Sequence, residues 1–233
     1  MPQTLYHAIV VAHAATGTIA LLSFWSAAAM RKGGDAHRFA GRVFLLAMCA
    51  IGATALPMAA TQFARGNPVG GIFLTYLLVI TASACARAWF AVRLKREPAR
   101  YFGRWYRVAA FGNLALGAAV MALGLQHHAI VLSGFSIVGL ALGAQMVRMA
   151  RRAPPPRWAV VEHYRGMLGA GVATHVAFLG IGLTRLLPAY AGTAQMLMWF
   201  APLLVSLIAG AYLKRRYGSA RAAILPNRGV APP

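Results

Sequence analysis

The chain has 233 residues, 60% of them hydrophobic and only 11% charged, with 23 basic residues, three acids and a net charge of +20. A water-soluble domain carries about 25% charged residues, so this composition excludes one. The positive charge would suit nucleic acid, but it lies in short stretches beside long apolar segments, where it meets anionic lipid head groups; no nucleic-acid partner is expected.

Seven apolar segments follow one another at about 5–30, 42–64, 70–92, 108–126, 129–147, 163–186 and 193–213. Each is near the roughly 20 residues that a helix needs to cross a bilayer core. The first begins without basic residues, so no cleavable signal is expected; it carries His7 near its start and His13 one turn before Gly17. Arg31, Lys32, Arg38 and Arg42 fill the first junction. The second segment contains Cys49 and an internal proline, Pro57, which predicts a kink; the turn Arg65-Gly66-Asn67-Pro68 follows. The third holds Cys85, Arg87 and Trp89, and six basic residues lie between Arg93 and Arg107. Segments four to six are glycine-rich, with Gly139 and Gly143 at the small-xxx-small spacing that lets helices approach closely. Plain helix packing is the first reading of these glycines; room for a flat cofactor or a lipid-like ligand between helices is the second.

Three prolines at 154–156 end the fifth segment, because proline lacks the backbone donor that a helix needs. His163 opens the sixth, and His175 sits near its middle, one turn after Gly171. The seventh contains Pro202 and ends in Lys214, Arg215 and Arg216. Twenty of the 23 basic residues therefore fall at every second boundary, leaving only Arg65, Arg87 and Arg185 elsewhere. The positive-inside rule then places the N-terminus outside and the C-terminus in the cytoplasm. The expected fold is all-α, a single seven-helix membrane domain over residues 1–217 in a bacterial inner membrane, with a poorly ordered cytoplasmic tail at 218–233. Two cysteines inside apolar segments make neither a structural disulfide nor a CxxC metal motif.

Ionisable residues inside a span are costly and mark function by default; here they are His13, Arg87 and His175. His13 and His175 fall at similar depth on antiparallel spans. The glycines Gly17 and Gly171, each one turn away on the same face, would clear space for a macrocycle. Histidine is a common axial haem ligand, so a bis-histidine haem b is one reading. A second is hydrogen bonding across helices, and a third is proton relay. Arg87 would snorkel to the interface, pair with Asp35 or Glu162, or meet an anionic group such as a haem propionate. At the cytoplasmic mouth, two of the three acids adjoin histidines, in Asp35-Ala-His37-Arg38 and Glu162-His163-Tyr164-Arg165. Asp35, His37, Glu162 and His163 form a candidate metal site, since imidazole and carboxylate suit zinc or iron; local ion pairing with the nearby arginines would account for the same residues. Trp89, Trp105, Trp158 and Tyr164 read as an interfacial aromatic belt.

The hairpin Arg31-Lys32-Gly33-Gly34-Asp35-Ala36-His37-Arg38-Phe39-Ala40-Gly41-Arg42-Val43-Phe44 resembles an uncharacterised bacterial family of predicted polytopic membrane proteins, in which a His-Arg-x-x-Gly-Arg motif follows the first span. The resemblance extends to His13, Arg87 and His163. It implies a bundle of about seven spans and gives weight to His37, Arg38, Gly41 and Arg42, without implying a substrate. Retinal proteins share the orientation but need a lysine midway along span seven, where this chain has none. The functional expectation is a haem b electron carrier exchanging electrons with a quinone or a membrane-complex partner. The alternatives are a small-solute or proton transporter and a structural or assembly subunit.

Overall fold

A computed structural model describes residues 2–183 and 193–217. Seven helices among these residues are long and apolar enough to cross a membrane, and the chain is a multi-pass helical membrane protein. They are α1 (Gln3–Ala29), α2 (Asp35–Ala64), α3 (Pro68–Arg93), α5 (Arg104–Gln126), α6 (Ile130–Ala150), α7 (Trp158–Val176) and α8 (Thr193–Tyr217), with a one-turn α4 (Pro98–Tyr101) between α3 and α5. After Val176, α7 widens into a π-helix over Ala177–Leu183. No strand occurs among the described residues. The turn near Pro188, Arg185 and the tail beyond residue 217 lie outside them.

The helices form two antiparallel hairpins, α1–α2 and α5–α6, around a central pair, α3 and α7, with α8 against α7. Small residues make the central pair close. A Cβ on Gly166 would meet Ala84 and Ala88 of α3 at 2.5–2.9 Å, so α7 lies with its backbone almost on that of α3. Gly143 approaches the Ala110 carbonyl in the same way. At Gly139 the Tyr76 hydroxyl enters the α6 backbone. It donates to the Phe135 carbonyl at 2.6 Å and accepts from the Gly139 N–H at 2.9 Å, two groups that are partners in the helical ladder. The glycines of α5–α7 thus serve packing at these points, and the cleft expected beside Gly171 is filled by the Phe24 ring.

The helices outrun their apolar segments at the basic end. α2 starts at Asp35 and α7 at Trp158, where hydropathy suggested 42 and 163. Backbone hydrogen bonding does not stop where charge begins, and arginine stems reach along the helix surface while their heads stay wet. Gly33, at φ +80, turns the chain in the left-handed region open to glycine and folds α2 back onto α1. His37 therefore stands on the first turn of α2 and His163 on the second turn of α7. α2 and α8 run continuously through Pro57 and Pro202.

Candidate functional site

The densest polar construction sits where α3, α4, α5 and α7 meet. Arg87 and Glu162 are 2% and 0% exposed and form a bidentate pair, with Nε to Oε2 at 3.0 Å and Nη2 to Oε1 at 2.9 Å. Tyr101 and Tyr106 donate their hydroxyl protons to the same Oε2, at 2.9 and 3.0 Å. Burying two charges is tolerable only when their remaining hydrogen-bonding capacity is filled, and here four donor contacts surround one carboxylate. Arg87 neither snorkels nor meets Asp35; it is committed to Glu162. Trp105 and Trp158, expected in an interfacial belt, instead pack with Tyr101, Phe102 and Tyr106 as the apolar wall of this cluster. Trp89 remains exposed beneath the Arg93 guanidinium.

One residue further along each helix, the same α3–α7 contact orients a histidine. His163 Nδ1 lies 3.0 Å from the Ala88 carbonyl. On α2, His37 Nδ1 lies 2.9 Å from the carbonyl of Ala27, at the end of α1. A carbonyl only accepts, so each ring carries a proton on Nδ1, and the neutral ring keeps its lone pair on Nε2. Neither Nε2 has a protein partner among the described residues. The two ring centres are 6.5 Å apart and their planes are near perpendicular, at 77°. Lys32 Nζ shares the Ala27 carbonyl at 3.0 Å. Partial burial, and then the charge of Arg216, pull its ammonium below the ordinary lysine range. Gly41, one turn along α2 from His37, faces open space.

Of the four residues expected to share a metal, the structure brings together the two histidines. Glu162 turns into its arginine and tyrosines, and Asp35 is exposed and bonded to Arg38. Among the described residues no three or more histidine, cysteine or carboxylate groups gather to hold a metal ion. The four residues therefore do not converge, because Arg87 holds the one buried carboxylate.

His13 and His175 are not brought onto a common ligand. His13 Nδ1 bonds Thr54 Oγ1 of α2 at 2.8 Å. His175 is occupied at both nitrogens: Nδ1 donates to the Gly171 carbonyl at 2.7 Å, and Nε2 accepts from the Trp25 indole N–H at 2.9 Å. Trp25 is twelve residues, about 18 Å of helix, from His13, and both side chains lean the same way along α1, so the separation persists at their tips. Two nitrogens on one metal stand about 4 Å apart. Gly17 does face open space, whereas Gly171 is covered by Phe24.

Sequence reasoning did not single out Tyr101, Tyr106, Trp25 or Thr54. The first two had a signal, the aromatic-basic run Arg100-Tyr101-Phe102-Gly103-Arg104-Trp105-Tyr106, which is dense for a loop. Trp25 and Thr54 look like any residue of an apolar span. The fold and site define a helical membrane protein with a buried ion-pair cluster and, at its basic end, two preoriented imidazoles with free nitrogens. No family model, curated protein or solved structure matches the chain.

Proposed function

We propose that this protein is a haem b electron carrier of a bacterial inner membrane, with its basic end in the cytoplasm, its N-terminus outside, and His37 and His163 as the residues that would hold the haem. The observation that carries this reading is the pair of free Nε2 atoms on rings whose centres are 6.5 Å apart. Two imidazoles that held one metal through nitrogens about 2 Å from it would have their ring centres no more than about 6 Å apart, close to the spacing found. Ligating histidines donate their other N–H to a carbonyl or carboxylate, which fixes tautomer and ring orientation, and both rings do so here. Gly41 supplies clearance beside His37. Arg42, one residue on, is exposed and suited to a propionate; Arg87, already paired, is not. The bound group would cycle between ferric and ferrous iron, exchanging one electron at a time with a quinone or a partner complex.

A reduced-minus-oxidised visible spectrum of the detergent-purified protein, with its haem-to-protein ratio, tests this reading. A near-stoichiometric b-type signal is expected, lost in His37→Ala and His163→Ala and kept in His13→Ala and His175→Ala. A colourless, monodisperse protein that takes up no added haemin would overturn it, and a signal lost only in the His13 and His175 variants would overturn the ligand assignment.

A further inference from the structure

The chain's three acids are all engaged: Asp35 with Arg38, Glu97 with Arg100, and Glu162 with Arg87 and, at 4.0 Å, Arg165. No acidic side chain is left over for the exposed arginines of α5 and α6. Three of those arginines are organised. Arg104 and Arg107, one turn apart at the basic end of α5, top an open groove of about 630 Å³ walled by Val108, Phe111, Gly112 and Ala115. Arg107 and Phe111 also belong to a second groove, of about 320 Å³, between α5 and α6, which is closed by Val147, Ala150 and Arg151. The two grooves adjoin, with Arg107 standing between them.

The shape is that of a head and a tail. Residues 104, 108, 111, 112 and 115 share one face of α5. The groove runs about 16 Å from the first to the last, roughly half the thickness of the hydrocarbon core. Val108 and Phe111 are 65% and 57% exposed on it, and a Cβ on Gly112 would meet nothing within 4 Å. Cations at the interface with an apolar channel descending below them match an anionic lipid, and basic pockets between membrane helices favour phosphate head groups. Three arginines across two adjoining grooves exceed what one phosphate needs.

We propose that this face of α5 and α6 is a binding site for a glycerolipid with two phosphates, of the cardiolipin class. One phosphate sits between Arg104 and Arg107, the other between Arg107 and Arg151, and an acyl chain lies along Val108, Phe111 and Gly112. The site is independent of the cofactor reading.

The full chain, purified in detergent, is titrated with cardiolipin and with phosphatidylglycerol at matched phosphate, and bound lipid is counted by native mass spectrometry. One cardiolipin per protein is expected at concentrations where phosphatidylglycerol does not saturate. Each arginine is worth about fivefold in lipid affinity, so the R104Q/R107Q/R151Q triple variant should bind on the order of a hundredfold more weakly. A control triple elsewhere on the basic end, R31Q/K95Q/R96Q, should bind as the parent does. Gly112→Trp, which fills the groove without touching packed residues, should also lose the lipid. Equal binding of both lipids, an equal loss in the control triple, or full retention in Gly112→Trp would each overturn the proposal.

Discussion

Glu162 concentrates more of this molecule's electrostatics than any other residue. Its carboxylate takes two bonds from Arg87 and one each from Tyr101 and Tyr106, so removing it leaves a buried guanidinium and two buried hydroxyls without their acceptor. Breaking one partner of a buried pair costs about 3–5 kcal/mol, whereas replacing both with apolar groups of similar size is far milder. Glu162→Ala should therefore lower the thermal midpoint in detergent sharply, and R87M/E162L should recover most of the loss. A single variant as stable as the parent would show that the cluster contributes nothing net. Asp35 and Glu97, exposed and paired only with a neighbour on their own turn, contribute little by comparison, since surface pairs are worth about 0–1 kcal/mol. The sequence named Glu162 and Arg87 as possible partners, because acids are so few. It also offered Asp35 as a competitor, and nothing short of the α3–α7 contact separates the two. The tyrosines escaped notice because a hydroxyl aimed at a carboxylate has no spacing rule when α4 and α5 deliver it.

At the scale of the element, the glycines divide by what faces them. Gly139 lies against the Tyr76 hydroxyl, 2.5 Å from where a Cβ would stand, and Gly112 faces nothing. Gly139→Val should push Tyr76 out of the α6 ladder and destabilise the protein by about 1–3 kcal/mol, the range for overpacked sites. Gly112→Val should leave the thermal midpoint unchanged. Valine is the better helix former of the two residues, so comparable losses in the two variants would mean that the Tyr76 contact is not what the Gly139 substitution costs. Gly139 and Gly143 were legible as a close-approach pair from their spacing. That Gly171 receives a phenylalanine ring and not a cofactor was not, because an empty volume and a filled one have the same local sequence. Hydropathy located all seven helices but began α2 and α7 several residues inside their true starts, and so placed His37 ahead of the second span and His163 at the first residue of the sixth.

At the scale of the whole molecule, the alternation of charge implies a direction across the membrane. Moving the basic turns to the outer side would carry twenty cations against the positive-inside bias. Single cysteines introduced at Gly33 and Pro155, in a background with Cys49 and Cys85 replaced, should resist a membrane-impermeant alkylating reagent added to intact cells. Cysteines at Gly66 and His127 should react with it. The reverse pattern would invert the topology and place the histidine pair and the arginine-topped grooves outside. Both features lie at the basic end, so the direction decides which compartment each one meets.

The sequence by itself determined the membrane, the number of spans and the set of polar residues from which any site must be built. Those follow from local quantities: twenty-residue apolar runs, charge at alternate boundaries and the scarcity of acids. Only the tertiary structure decided which of those residues meet. It turned His175 to Trp25 and Arg87 to Glu162, and brought the ring centres of His37 and His163 to 6.5 Å from each other. The reason is that a side chain's partner depends on the rotation of two helices about their axes, which backbone contacts such as Gly166 against Ala84 and Ala88 set. No run of residues along one helix encodes that rotation.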